Sequence, residues 1–187
     1  LLNLILIIKM KKAVILDEIS IDRKIKRLSY EIFERNLNNK KILFVGIKKN
    51  GFVLAKLIKK ELSKICKIKI DITQVLVDKK KPFAEYVIYN NSIETHRNTS
   101  VIVIDDVCSS GKTMMYVVSS LIYNLTNKIS TLVLVDRKHH NFPIKTDYVG
   151  IEVSTTLRQF IEVELEANKV AYLFWNITER FFSTINF

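Results

Sequence analysis

The chain has 187 residues, of which 48% are hydrophobic and 26% charged, with only four Gly and two Pro. This composition predicts one globular domain with a sizeable core and excludes disordered, collagen-like and low-complexity proteins. The net charge of +11 is compatible with nucleic-acid binding, since basic surfaces attract phosphates. Because Lys supplies most of the excess and is the weaker residue for bidentate recognition of bases, we attribute the charge mainly to compositional bias.

The N-terminus and the cysteines set further limits. Residues 1–8 form an apolar run, whereas a membrane-spanning helix needs roughly 20 such residues and a signal peptide carries its positive charge before the run. We expect residues 1–11 to be a non-native or disordered extension, with Met10 as the natural start, and residues 12–187 to be a single domain. Cys66 and Cys108 lie far apart without metal-ligand spacing, so we expect neither a disulfide framework nor a zinc cluster. We therefore expect a cytoplasmic protein with no membrane partner.

The first half of the chain alternates helices and strands. Apolar residues at helical spacing after Ser20, a candidate N-cap, predict a helix over residues 20–36. The apolar run 42–45 predicts a buried strand, and a second helix is expected to begin just after Gly51. Alternating isoleucines then predict a strand over residues 68–72.

The same alternation continues in the second half. Residues 101–104 and 131–135 are apolar runs typical of buried strands. The helix between them is expected to present one apolar face, formed by Met114, Val117, Val118, Leu121, Ile122 and Leu125. This order predicts an α/β fold with a parallel sheet and helices on both faces. Ligands of such sheets bind beyond the carboxyl ends of the strands.

The segment after the strand at 101–104 carries the most informative pattern. It reads Asp105-Asp106-Val107-Cys108-Ser109-Ser110-Gly111-Lys112-Thr113 and leads into a helix. Small and hydroxyl residues with a Gly at a helix N-terminus present several backbone N–H groups to an anion. We therefore predict that Ser109 to Thr113 bind a phosphate, while the paired carboxylates suit hydroxyl groups or a divalent metal. A nucleotide-hydrolysing P-loop is excluded because Asp106 stands where that motif requires Gly.

Residues 101–113 resemble the phosphoribosyl pyrophosphate (PRPP) binding motif of type I phosphoribosyltransferases. Within that superfamily the chain is most similar to the pyrimidine operon attenuator/uracil phosphoribosyltransferase family, and residues 13–18, 45–51 and 134–150 support the similarity. The resemblance implies the type I phosphoribosyltransferase fold, with a small hood formed by the terminal segments. It also implies transfer of the 5-phosphoribosyl group of PRPP to a nucleobase, with uracil favoured, giving UMP and pyrophosphate with Mg2+ bound to PRPP.

The resemblance also implies roles for individual residues. Asp105 and Asp106 would contact the ribose hydroxyls as catalytic residues. The residues implied in PRPP binding are Lys48, Lys49, Val107, Cys108, Ser109, Ser110, Gly111, Lys112 and Thr113. The residues implied in the base pocket are Asp136, Arg137, Phe160 and Ile161. No protein metal site is predicted, because His139 and His140 have no metal partner at helical or hairpin spacing.

Two other functions stay open. One is a purine-base phosphoribosyltransferase, and the other is a PRPP- or nucleotide-sensing RNA-binding regulator of pyrimidine genes. The basic residues that would contact RNA are Lys24, Lys26, Arg27, Arg137, Lys138, His140 and Lys145. The chain departs from the family in the flap at 74–82 and at Asn50, where the family commonly has Arg. We expect a homo-oligomer, with the aromatic tail at 167–187 packed on its own domain or on a second subunit.

Overall fold

The computed structural model describes residues 8–77, 87–89, 99–122, 128–156 and 158–178. These residues form three helices and nine strands. In chain order they are β1 (Ile8–Leu16), α1 (Glu18–Arg35), β2 (Lys41–Ile47), α2 (Lys48–Ile65), β3 (Lys69–Val77), β4 (Val87–Tyr89), β5 (Ser100–Cys108), α3 (Lys112–Ile122), β6 (Lys128–Arg137), β7 (Tyr148–Val153), β8 (Gln159–Glu164) and β9 (Val170–Thr178).

The larger sheet has the strand order β4-β3-β2-β5-β6-β7. Strands β3, β2, β5, β6 and β7 run parallel to one another, and β4 pairs antiparallel with β3 at one edge. The predicted parallel sheet is therefore confirmed, with one antiparallel strand added. The carboxyl ends of β2, β5 and β6 consequently lie side by side at one end of the sheet.

Helices cover both faces of this sheet, as predicted. Helices α1 and α2 pack on one face in a core that includes Ile58 and Phe44, both fully buried. Helix α3 packs on the other face through Met114, Val117 and Leu121. Burial of apolar strands between two helical layers is the arrangement that removes most apolar surface from water. Among the described residues, no helix is both long enough and apolar enough to cross a membrane.

A second, antiparallel sheet in the order β1-β9-β8 forms the hood that the family resemblance implies. The register of β1 against β9 runs from Ile8 opposite Thr178 to Leu16 opposite Ala171. Residues 8–11 therefore belong to a strand, because β9 extends far enough to bond their backbone, and the expectation of an unstructured extension up to residue 11 is corrected for them. Residues 170–178 of the expected tail form β9. Residues 1–7 and 179–187 lie outside the described residues.

Two predicted helix starts differ from the structure, and one residue of the predicted apolar face of α3 is exposed. Helix α1 begins at Glu18, and its N-cap is Asp17, whose side chain accepts a hydrogen bond from the Ser20 backbone N–H at 2.8 Å. Ser20 is thus inside the helix, since the carboxylate of Asp17 takes the capping role. Helix α2 begins at Lys48 and not after Gly51. Helix α3 is described as far as Ile122, which is 63% exposed and so lies outside the predicted apolar face; Leu125 lies outside the described residues.

The first turn of α2 packs very closely on the end of β5. A Cβ atom added to Gly51 would lie 2.4 Å from the carbonyl oxygen of Ile104. Only a residue without a side chain permits this approach. This close approach brings the start of α2 beside Asp105, which follows Ile104 directly.

Gly51→Ala tests this constraint. The added methyl group has backbone as its nearest neighbour, so helix and strand must separate, and we expect a loss of about 1–3 kcal/mol in the free energy of unfolding. Urea denaturation measures the change. Lys60→Ala is the control, because Lys60 is exposed on the same helix and should alter stability by no more than about 0.5 kcal/mol. Equal stability of the two variants would show that α2 is not held at this distance.

Candidate active site

A polar cavity of about 310 Å3 lies at the carboxyl ends of β2 and β5. The residues that line it are Lys48, Asp105, Asp106, Val107, Cys108, Ser109, Ser110, Gly111, Thr113 and Met114. The structure thus brings together most of the residues predicted to bind PRPP. Lys49 and Lys112 are not among the lining residues. Lys112 places its ammonium 5.7 Å from the ring centre of Tyr116 and 5.8 Å from that of Phe142.

The loop between β5 and α3 has the geometry of an anion site. Gly111 has a φ of +79°, and a Cβ atom there would lie 2.5 Å from the side chain of Ile144. The loop is held by the carbonyl of Ser110, which accepts hydrogen bonds from the backbone N–H groups of Asn141 and Phe142, each at 3.1 Å. Because α3 begins directly after this turn, its unpaired N–H groups and its positive dipole end lie at the cavity.

The paired carboxylates lie beside this loop and differ in their surroundings. Burial, together with repulsion by Asp106, raises the pKa of Asp105 well above the ordinary value, and the charge of Lys48 opposes the rise. Asp106 accepts a hydrogen bond at 2.8 Å from the side-chain amide of Asn50. The same amide donates to the carbonyl of Val163 in the hood, also at 2.8 Å. Asn50 therefore joins the carboxylate pair to strand β8.

The start of α2 is tied to β3 through Lys48 and to the hood a second time through Lys49. Lys48 adopts a φ of +53°, and its carbonyl accepts a hydrogen bond from the side chain of Gln74 at 2.9 Å. The ammonium of Lys49 lies 2.5 Å from the carboxylate of Glu166. Both Lys48 and Lys49 are exposed. Sequence reasoning missed Glu166, because no local pattern links a residue after β8 to the start of α2.

Arg137 faces a second cavity of about 380 Å3 that adjoins the first one at Ser109 and Ser110. Its guanidinium donates to the hydroxyl of Ser109 at 2.6 Å and to that of Thr155 at 2.6 Å. The other lining residues are His139, Asn141, Thr155 and Thr156. The structure therefore places Arg137 next to the predicted phosphate loop, at the end of β6.

Asp136 is not among the residues that line either cavity. It is 7% exposed, and its carboxylate accepts a hydrogen bond from the Thr146 hydroxyl and lies 2.6 Å from Nε2 of His140. The chain folds back after β6 and brings the ring of His140 onto Asp136, so His140 is a partly buried residue with two hydrogen-bond partners. Sequence spacing did not reveal this contact.

The two hood residues predicted for the base pocket, Phe160 and Ile161, have different surroundings. Phe160 stacks on Phe174 with ring centres 5.0 Å apart, so its ring already has a partner inside the hood. Ile161 packs against the core. Strand β8 is an edge strand, and the carbonyl of Val163 points to its open side, where it meets Asn50. Since backbone groups alternate along an antiparallel strand, the N–H and carbonyl of Ile161 point to the same side.

The raised pKa of Asp105 predicts a pH-dependent stability. The stabilising contribution of its carboxyl is complete below the ordinary pKa of aspartate and is lost as the pH rises through the raised pKa of the folded state. We expect Asp105→Asn to melt several degrees above the unaltered protein at neutral pH, with about 1 kcal/mol corresponding to roughly 2–4 °C, and the difference to shrink at acidic pH.

Scanning calorimetry across pH measures this change. Asp22→Asn is the control, because Asp22 is exposed and its ion pair with Lys169 lies on the surface of the domain, so its effect is small at every pH. A melting difference for Asp105→Asn that does not vary with pH would contradict the buried, ionisable state of this carboxyl.

Residues 13–168 match the family described as phosphoribosyl transferase domain. The chain is 34% identical over 162 residues to the Bifunctional protein PyrR of Streptococcus gordonii, covering 83% of this chain and 92% of that protein. It is 34% identical over 160 residues to the Bifunctional protein PyrR of Clostridium kluyveri, covering 82% and 90%.

Solved structures show the same fold at lower identity. A hypoxanthine-guanine phosphoribosyltransferase from Bacillus anthracis superposes with a TM-score of 0.68 at 17% identity, covering 82% of this chain and 87% of that one. The hypoxanthine phosphoribosyltransferase of Trypanosoma cruzi gives a TM-score of 0.64 at 17% identity, with 75% and 81% covered. With a cavity that joins a phosphate-type loop to paired carboxylates, these matches show that the chain belongs to the phosphoribosyltransferase family.

Proposed function

We propose that the chain transfers the 5-phosphoribosyl group of PRPP to uracil, giving UMP and pyrophosphate. The observation that carries this proposal is the single cavity of about 310 Å3 in which Asp105 and Asp106 stand beside the loop from Ser109 to Thr113. One wall offers backbone N–H groups to a phosphate, and the other offers carboxylates to hydroxyl groups. PRPP carries both kinds of group on one ribose ring.

The two carboxylates suit the ribose of this substrate. With Ser109 to Thr113 on the 5-phosphate, the 2- and 3-hydroxyls of the ring would face Asp105 and Asp106. Asp106 is oriented by the Asn50 amide, so its other oxygen lone pairs remain available to accept hydrogen bonds. Burial, together with repulsion by Asp106, raises the pKa of Asp105, and hydroxyl donors to this carboxyl reduce the cost of its charge.

The pyrophosphate would lie over the start of α2, at Lys48. Lys48 lines the cavity and its ammonium acts on the carboxylate pair. The adjacent carboxylates of Asp105 and Asp106 are oxygen donors of the type that Mg2+ prefers, so the residues present fit this ion. When bound with PRPP, Mg2+ neutralises charge on the leaving pyrophosphate. Lys48 supplies positive charge on the same side from the protein.

Displacement at the anomeric carbon develops positive charge on the ribose ring, as in glycoside chemistry. The fixed carboxylates of Asp105 and Asp106 stabilise that charge without moving, which is the most effective form of electrostatic catalysis. No side chain has to act as a nucleophile, because N1 of the base bonds to the anomeric carbon as the bond from that carbon to pyrophosphate breaks, and the N1 proton leaves to solvent. The role of the protein is to hold the reacting groups in line and to exclude water.

The base would lie between the hood and the end of β6. The backbone N–H and carbonyl of Ile161 point to the open edge of β8, where they can bond the polar edge of a pyrimidine. Arg137 closes the far side through its bonds to Ser109 and Thr155. In this arrangement Asp136 does not contact the base but holds His140, and Phe160 stabilises the hood by stacking on Phe174. Uracil fits because it presents both a donor and acceptors along one edge.

RNA binding is the second candidate, and the word bifunctional in the names of the relatives favours a second activity beside transfer. Lys26, Lys138 and Lys145 are exposed and support it. Other members of the predicted basic surface have bonds inside the protein: Arg27 donates to the carbonyl of Gly150 at 3.2 Å, and His140 contacts Asp136. These internal bonds leave a smaller basic surface than the sequence indicates.

Calorimetry with PRPP and Mg2+, followed by a pyrophosphate-release assay with uracil, hypoxanthine, guanine and adenine in turn, tests the proposal. We expect PRPP to bind and only uracil to release pyrophosphate. Release with hypoxanthine or guanine alone would identify a purine-base enzyme. Binding of PRPP without release for any base would contradict the transfer activity and favour the RNA-binding regulator.

Asp106→Asn tests the role of the carboxylate pair. Asn keeps the size of the side chain and can still accept from Asn50, but it removes the negative charge near the ribose. We expect kcat/KM for pyrophosphate release to fall at least about 100-fold, the scale of one preorganised electrostatic group, with little change in melting temperature. Asp22→Asn should retain full activity. Unchanged turnover in Asp106→Asn would mean that this carboxylate does not act on the ribose.

A further inference from the structure

Three metal-ligand types meet beneath the phosphate loop. Sγ of Cys108, a carboxylate oxygen of Asp136 and a ring nitrogen of His140 all lie within 4.8 Å of one another. Cys108 ends β5 and stands opposite Asp136 on the neighbouring strand β6. Cys108 is 3% exposed and Asp136 is 7% exposed, while the His140 side chain is 15% exposed. The group is therefore buried, unlike a chance acidic cluster on a surface.

The hydrogen bonds of His140 fix the orientation of its ring. Nδ1 lies 3.1 Å from the carbonyl oxygen of Ile144, which can only accept, so Nδ1 is the donor of this bond. Nε2 lies 2.6 Å from a carboxylate oxygen of Asp136, a hydrogen-bond distance that leaves room for a shared proton but not for a metal ion. A metal ion would replace this proton once the two atoms have moved apart.

The outer contacts of the group are those of metal ligands. A ligating His typically donates its second nitrogen to a backbone carbonyl, as His140 does to Ile144, and a ligating carboxylate is itself hydrogen-bonded, as Asp136 is by the hydroxyl of Thr146. These bonds fix the orientation of the imidazole ring and of the carboxylate. Two of the three donors are thus oriented by the fold before any ion binds.

We propose that Cys108, Asp136 and His140 bind one divalent transition-metal ion of the Zn2+ class, with water in the fourth position. Sulfur, imidazole nitrogen and carboxylate oxygen are the donors that Zn2+ takes in tetrahedral sites. Ligands at about 2.0 Å from the ion stand roughly 3.3 Å apart, so Asp136 and His140 must separate by several tenths of an ångström. Binding releases the Cys108 thiol proton, and any proton held between Asp136 and His140, to solvent.

The place of this site suggests what it does. Cys108 immediately precedes the loop from Ser109 to Thr113, and the segment that follows His140 donates two backbone N–H groups to the carbonyl of Ser110. A bound ion would fix the ends of β5 and β6 and the loop after β6 as one unit, and so stabilise the phosphate loop from below. The site is separate from the Mg2+ that accompanies PRPP and does not depend on the proposed function.

Cobalt substitution gives a direct test that needs no activity measurement. The full chain is stripped with a chelator, and one equivalent of Co2+ is added without Mg2+ or thiol reductant. We expect a sulfur-to-cobalt charge-transfer band in the near ultraviolet, with visible bands of four-coordinate cobalt. Zn2+ should abolish both sets of bands at one equivalent. Absence of the charge-transfer band would overturn the proposal in favour of a proton shared by Asp136 and His140.

Matched variants identify the ligands. Cys108→Val keeps a small buried apolar side chain and should remove the charge-transfer band and weaken Zn2+ binding at least about tenfold, since even outer partners of metal sites contribute about 10- to 100-fold. Cys66→Val should leave both unchanged, because Cys66 lies at the end of α2. His140→Asn should lose the four-coordinate bands and His139→Asn should keep them.

Each variant is checked by circular dichroism before titration. If Cys108→Val does not fold, His140→Asn and the spectrum of the unaltered protein decide the question. A charge-transfer band that survives in Cys108→Val, or that is lost equally in Cys66→Val, would overturn the assignment.

Discussion

The close packing of α2 on the end of β5 is the constraint on which the rest of the site depends. Gly51 has no side chain and therefore allows the first turn of α2 to approach Ile104 closely. The start of α2 consequently lies directly beside Asp105. Lys48 then acts on the carboxylate pair, and Asn50 reaches both Asp106 and the hood. The carboxylates of Asp105 and Asp106 and the first turn of α2 are thus held beside each other by packing and by the Asn50 hydrogen bonds.

Much of the fold follows from local patterns in the sequence. Buried strands appear as unbroken apolar runs, such as Val101 to Ile104, and the helices as apolar residues at a spacing of three or four. The alternation of the two predicts a parallel sheet covered on both faces, and the structure has one. The turn before α3 was also predictable, because Gly111 and the hydroxyl residues beside it favour a turn at that point.

What sequence reasoning missed depends on contacts between distant segments. Asp136 lies only four residues before His140, but their contact requires the loop after β6 to fold back, and Cys108 joins them only through the pairing of β5 with β6. In the sequence Asn50 is only a departure from the Arg that the family commonly has. The structure shows that it bonds both Asp106 and Val163. The N-cap at Asp17 was missed for a smaller reason, since Ser20 is an equally good capping residue by type.

The hood is built from both ends of the described chain, since β1 pairs with β9 across more than 150 residues of sequence. During synthesis, the parallel sheet can form from contiguous segments, whereas the hood has to wait until β9 has left the ribosome. A partly made chain therefore has the turn at Gly111 but lacks the complete sheet whose edge strand β8 bonds Asn50. The two sheets are completed in two steps, the parallel sheet first and the hood only after β9 has been made.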